Sequence, residues 1–169
     1  MQDTADLRGD FQLLHELVRP EGTIKLLGVA AQTDVAEVTA RMKNLGREFR
    51  RKGVFTTSSV LDSTDLATGV IAAIQSLRSA FFRPNVLFLD LGPGLADREL
   101  EHLWREARRL RVGLAVLAEH PRAGLGRRSV IHLWFPRELT RMAPSEALTA
   151  GQMHLALLMA LRLARSWSA

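Results

Sequence analysis

Few residues in this chain have types and spacing that suit chemistry, and the first of them are glycines. Leu91-Gly92-Pro93-Gly94-Leu95 stands between a strand-like stretch and a helical one. That is where an α/β protein holds a phosphate on the amino terminus of a helix. Pro93 removes one amide that such a cradle needs, and neither Gly-x-Gly-x-x-Gly nor Gly-x-x-x-x-Gly-Lys-[Ser/Thr] occurs anywhere. Gly124-Leu125-Gly126, followed by Arg127-Arg128-Ser129, gathers charge for an anion but leads into a strand. For proton transfer the best placed residues are Asp90 and His120, each at the carboxyl end of an expected strand, where ligands of open α/β sheets bind. A polar residue ending a strand is the simpler meaning of both. No two of His15, His102, His120, His132 and His154 lie three or four residues apart, so no helical metal pair exists. Cysteine is absent, which excludes thiolate ligands and disulfides, and no serine stands in a Gly-x-Ser-x-Gly elbow. The expectation is a chain with no catalytic residue, no metal and no cofactor.

The residues that remain are suited to contact. The formal net charge is +5. From Arg98 to Arg141 ten arginines face five glutamates, so this stretch alone carries that surplus. Arg105, Arg108, Arg109, Arg127 and Arg128 are the candidates for a patch against an anionic surface, lipid or protein. A solvated helix face with a basic loop is the plain alternative. Nucleic acid is not expected, because tyrosine is absent and no aromatic residues alternate with the basic ones to stack bases. Trp104, Trp134 and Trp167 all fall in the second half. Core packing is the default reading of the first two, with Trp104, Leu163 and Trp167 as candidates for a subunit interface. Ala156, Ala160 and Ala164 add a small-residue face to the last helix.

The elements that position these residues follow from periodicity. Leu7, Phe11, Leu14 and Val18 mark a helix that ends at Pro20, and Ile24–Val29 reads as a strand. Val35, Val38, Met42, Leu45 and Phe49 form a helical face capped by Thr33 or Asp34. Val54–Leu61 is the second strand, and Asp62-Ser63-Thr64-Asp65 caps a helix running through Leu66, Val70, Ile74, Leu77 and Phe81 to Pro84. Asn85–Leu91 is a third strand apolar enough to be covered on both faces. A helix through Leu100, Leu103, Ala107 and Leu110 precedes a fourth strand, Val112–Ala118, and Val130–Phe135 is the fifth. Residues 137–150 read as irregular, and Met153–Trp167 closes the chain as an amphipathic helix. Alternation of this kind implies a single α/β domain over 1–169, with a mainly parallel five-stranded sheet and helices on both faces. No apolar run approaches the roughly 18 residues of a membrane span, and Met1-Gln2-Asp3-Thr4-Ala5-Asp6 lacks the pattern of a secretory leader.

Three segments resemble the cytosolic carboxyl-terminal domains of prokaryotic cation–chloride cotransporters. They are Ser79-Ala80-Phe81-Phe82-Arg83-Pro84-Asn85-Val86-Leu87-Phe88-Leu89, Arg128-Ser129-Val130-Ile131-His132-Leu133-Trp134, and the closing run Met153 to Trp167. The resemblance is to the later of that domain's two related α/β halves. It implies a fold similar to universal stress proteins, with strand order 3-2-1-4-5. It also implies a place on the cytoplasmic side of a membrane transporter, whose transmembrane portion is the partner, and a regulatory or assembly role through weak homodimer contacts. The competing expectation is a free-standing nucleotide-binding protein of the universal stress type. Ala118-Glu119-His120-Pro121-Arg122-Ala123-Gly124-Leu125-Gly126 lacks the glycine pattern with which those proteins hold ATP.

Overall fold

The computed structural model describes residues 7–18, 21–31, 33–91, 95–118, 120, 122, 124–125, 130–135, 137, 141–143, 145–146 and 151–167. The chain divides into two compact units, one of residues 18–118 and one that joins 1–17 to 119–169.

In the larger unit, β1 (Thr23–Ala30), α2 (Val35–Arg51) and β2 (Phe55–Asp62) form a parallel crossover, followed by α3 (Leu66–Leu77). A second crossover is built from β3 (Val86–Asp90), α4 (Asp97–Arg109) and β4 (Gly113–Leu117). β1 pairs with β2 from Thr23 opposite Phe55 to Ala30 opposite Asp62. β3 pairs with β4 from Val86 opposite Gly113 to Asp90 opposite Leu117. Each helix in a parallel pair returns the chain to the same edge, as that geometry requires.

The helix starts are set by short acidic side chains. Asp34 accepts the Ala36 amide at 2.9 Å and Asp65 accepts the Thr68 amide at 2.8 Å, each satisfying an orphan N–H of the first turn. At α4 the cap residue is Ala96, which has no side-chain acceptor. There Glu99 reaches back to the Ala96 amide at 3.2 Å, one half of a capping box.

β1 is the pivot of the core. Its residues alternate, so Ile24, Leu26, Gly28 and Ala30 are buried on one face while Leu27 and Val29 point to the other. α2 lies against the first face. A Cβ on Gly28 would stand 2.5 Å from Val38 Cγ1 and 3.0 Å from Met42 Cγ. α3 lies against the second face, where a Cβ on Gly69 would meet Val29 Cγ1 at 2.7 Å. Helices therefore cover both faces of β1. Behind Val29 the apolar cluster continues through Ala67, Val70 and Ile74 of α3 to Leu103 of α4, Leu110 and Val112, with Leu87 and Leu89 of β3 against it. Gly28→Ala is expected to lower the unfolding free energy by about 1–3 kcal/mol, the usual range for forcing a methyl into a filled core. Urea unfolding checks this, and a variant as stable as the parent would show that α2 stands further from the strand.

Three expectations are corrected here. Among the described residues there are four strands in two parallel pairs, in place of one five-stranded sheet. The expected fifth strand, Val130–Phe135, forms no ladder. Its side chains supply strand propensity, but Val130 and Trp134 are 66% and 88% exposed and none of its residues is fully buried, so little burial reinforces it. The order 3-2-1-4-5 also fails, because β3 pairs directly with β4, which that order would separate by two strands. Finally, the third helix ends at Leu77 and does not reach Phe81. The Arg78 and Ala80 amides bond to carbonyls three residues back, and the Ser79 hydroxyl takes the Ser76 carbonyl at 3.2 Å, which tightens and closes the turn. Phe81 is left 93% exposed.

In the smaller unit, α1 (Leu7–Val18) carries the buried Leu13, and α5 (Gly151–Trp167) ends in Trp167. The Trp167 indole Nε1 donates to Glu16 Oε2 at 2.8 Å, which ties the end of α5 to α1.

Candidate functional site

At the carboxyl edge of the strands, Asp90 ends β3 and is exposed, and the next amide, Leu91 N–H, bonds to the Leu117 carbonyl at 2.7 Å. Asp90 therefore closes a ladder, and it belongs to the larger unit. His120 belongs to the smaller one, where its Nδ1 accepts the Arg122 amide at 3.2 Å and its carbonyl accepts the Gly124 amide at 2.8 Å. These contacts give it the role of a turn residue. The glycine turn 92–94 and most of the loop 121–129, including Arg127 and Arg128, lie outside the described residues. Asp65, the cap of α3, also stands at this edge. The Thr68 amide, then the Thr68 hydroxyl, holds its carboxyl below the usual carboxylate range, as expected for a helix cap.

Arg105, Arg108 and Arg109 of α4 are engaged along their own helix. Arg105 pairs with Glu101 at 3.2 Å, and the Arg108 guanidinium lies 5.8 Å over the Trp104 ring. Arg109 places Nε and Nη2 on a single oxygen of Glu106, at 2.9 and 2.6 Å. That contact holds the Glu106 carboxyl below its ordinary range and raises the Arg109 guanidinium. On this solvated helix water screens such pairs, so they order the side chains without excluding a competing anion.

Trp104 is 42% exposed and Trp134 is 88% exposed, so neither is the core residue that its type suggests. Trp104 forms the wall of an open depression of about 550 Å³ with Leu100, Asp97 and Glu101 of α4 and Leu114 and Val116 of β4. It is an apolar shelf with a carboxylate rim, suited to contact. Its Glu101 is already paired with Arg105. On α5, Leu158 and Leu161 are 61% and 57% exposed, while Leu163 and Trp167 are half-buried. Among the described residues no three His, Asp or Glu side chains gather to hold a metal, and no helix is long and apolar enough to cross a membrane.

One feature escaped the sequence reading. Phe82 lies 5.8 Å from Phe55 and 4.9 Å, edge to face, from Phe81, ring centre to ring centre. All three rings are exposed, at 46%, 57% and 93% for Phe82, Phe55 and Phe81. Helical periodicity places Phe81 on the core face of α3. The adjacent Phe81-Phe82 pair, only one of which a helix face can bury, was the available signal.

Residues 1–125 match the family model described as the first C-terminal domain of prokaryotic cation–chloride cotransporters. The crystal structure of the cytoplasmic domain of a prokaryotic cation chloride cotransporter is similar with 33% sequence identity and a TM-score of 0.79. The similarity covers 100% of this chain and 61% of that one, so this chain spans less than two thirds of its length. No curated protein matches. The match to the first domain corrects the expectation that the likeness is to the later half. The Ser79–Leu89 segment lies inside the matched stretch, whereas the closing run Met153–Trp167 lies beyond it.

Proposed function

We propose, from the premise that this chain belongs to the prokaryotic cation–chloride cotransporter C-terminal domain family, that it is a non-catalytic regulatory and assembly domain of such a transporter. It lies on the cytoplasmic side, as the solved relative does. The observation that carries this reading is the family match over residues 1–125. In this reading residues 1–169 work as one α/β domain similar to universal stress proteins, a likeness supported by the parallel pairs and by helices on both faces of β1. The partner is the transmembrane portion of the same transporter, and the ions carried are decided there.

Self-association is the mechanical part of the role. Trp104 of the larger unit and, separately, Leu163 and Trp167 of the smaller one supply contacts, supported by the exposed shelf at Trp104 and by Leu158 and Leu161 on α5. Trp167 acts through its bond to Glu16, which fixes the helix that carries Leu163. Aromatic anchors of this kind dominate small interfaces. Arginines brought together by a twofold axis repel, but beyond about 8 Å physiological salt screens them.

Sedimentation equilibrium of the chain is expected to show a monomer–dimer equilibrium with a dissociation constant in the micromolar range, about −8 kcal/mol. Leu161→Glu and Trp104→Ala should each weaken it by about tenfold or more. A monomer up to ~1 mM would remove the assembly role, since that leaves under about 4 kcal/mol for the contact. The alternative, a free-standing nucleotide-binding protein, is tested by calorimetry with Mg-ATP. No binding heat is expected, because the turn best placed for a phosphate contains Pro93 and the Ala118–Gly126 stretch lacks the glycine pattern. Micromolar affinity would promote the alternative.

A further inference from the structure

Parallel topology sorts the charges of the larger unit onto two opposite edges. Every strand there ends, and every following helix begins, on one edge, and that edge carries Asp34, Asp62, Asp65 and Asp90. The helix-to-strand connections all lie on the other edge. Two contacts show that these connections adjoin one another. The Phe55–Phe82 ring contact joins the α2–β2 turn to the α3–β3 loop, and the Gly113 amide, bonded to the Asn85 carbonyl at 2.8 Å, joins that loop to the α4–β4 turn.

This second edge is basic as well as aromatic. Arg78 follows α3, Arg83 follows Phe82, and Arg111 follows α4, all three exposed. Among the described residues none of these three guanidinium groups pairs with a carboxylate. Of its acids, Glu48 is taken by Arg51 at 2.6 Å and Glu106 by Arg109 at 2.6 Å, while Glu21, just before β1, enters no ion pair among the described residues. Cations at helix carboxyl ends offset the helix dipole, and that alone explains basic residues here. It does not explain three exposed phenylalanines among them, with Phe82 in contact with both of the others.

We propose that this edge, Phe55, Phe81 and Phe82 rimmed by Arg78, Arg83 and Arg111, is a docking surface for an anionic lipid bilayer. Aromatic rings enter the boundary between headgroups and acyl chains, while arginines stay at the level of the phosphates. Charge complementarity selects this occupant, and the acidic opposite edge orients the unit by facing away from the membrane. The role rests on the reading of the chain as a transporter's cytoplasmic domain, which holds it near a bilayer. The surface itself is a property of this chain and is tested without the transporter.

The test is flotation of the 169-residue chain with vesicles of phosphatidylcholine containing about 30% phosphatidylserine, and with pure phosphatidylcholine, at ~0.1 M salt. The chain should float with the anionic vesicles only, and ~0.5 M salt should release most of it. The double variant Phe81→Ser/Phe82→Ser and the triple variant Arg78→Glu/Arg83→Glu/Arg111→Glu should each reduce retention by about tenfold or more. Arg41→Glu, exposed in the middle of α2, should not. The substituted side chains are exposed, and unchanged urea midpoints confirm that the variants fold. Failure of the parent chain to float, equal flotation with neutral vesicles, or full retention of either variant overturns the proposal. Those outcomes leave the assembly role standing, because the sedimentation experiment decides it separately.

Discussion

Leu103→Ala is expected to remove about 2–5 kcal/mol of unfolding free energy, while Arg105→Ala two positions away should change it by about 0.5 kcal/mol or less. Leu103 is 1% exposed and stands where the two crossovers meet. It joins Ala67, Val70 and Ile74 of α3 to Val112 just before β4, in a cluster that also takes in Leu27 and Val29 of β1 and Leu87 and Leu89 of β3. Truncation leaves a void bounded on every side by elements that cannot close on it together, so the cost includes a cavity as well as lost transfer energy. Arg105 has a side chain 60% exposed and pairs with the equally exposed Glu101 at 3.2 Å. Denaturant unfolding separates the two cases. A Leu103→Ala loss near that of Arg105→Ala would mean that the strand pairs do not share this core.

Leu103 was readable from the sequence, and the sheet that it serves was not. The spacing Leu100, Leu103, Ala107, Leu110 marks the inward face of α4, and three of those four residues are buried. Asp34 and Asp65 were likewise legible as caps, because a short acid just before an apolar periodic run has a local job that needs no tertiary partner. Strand pairing has no such local signature. Which strand lies beside β3 depends on where α4 returns the chain, and an order borrowed from another family cannot supply that. Val130–Phe135 shows the same limit: its side chains suit a strand, but a strand needs a neighbour's amides and carbonyls. The contact surface was half legible. The arginines of α4 were visible as a run of charge, yet their partners Glu101, Trp104 and Glu106 absorb them along the helix. The Phe55–Phe82 contact joins residues 27 positions apart in sequence, and only the folded edge brings them together.

Phe49→Ala should be costlier still, by about 3–5 kcal/mol. Phe49 has no exposed surface, and it occupies the last turn of α2, the helix that lies against β1 and β2. Its carbonyl accepts the Lys52 amide at 3.1 Å and the Val54 amide at 3.0 Å, which folds the chain back over Gly53, where φ is +80. Beyond that turn the Thr56 hydroxyl takes the Val54 carbonyl at 3.0 Å, and Arg50 Nη1 takes the Thr56 carbonyl at 2.9 Å. The ring is thus the apolar anchor of a turn whose polar groups are satisfied only while α2 stays seated. Removing it empties a buried site and loosens those bonds in the same step. Two readouts distinguish this from simple loss of volume. Denaturant unfolding gives the total cost, and Phe49→Leu, which keeps most of the filled space, should recover a large part of it. Amide exchange at Val54 should accelerate in Phe49→Ala by more than global destabilisation explains, because the turn opens locally. The same turn presents Phe55 to Phe82, so a seated Phe49 also holds the aromatic edge in shape. An alanine variant within about 1 kcal/mol of the parent would contradict the burial from which this effect is derived.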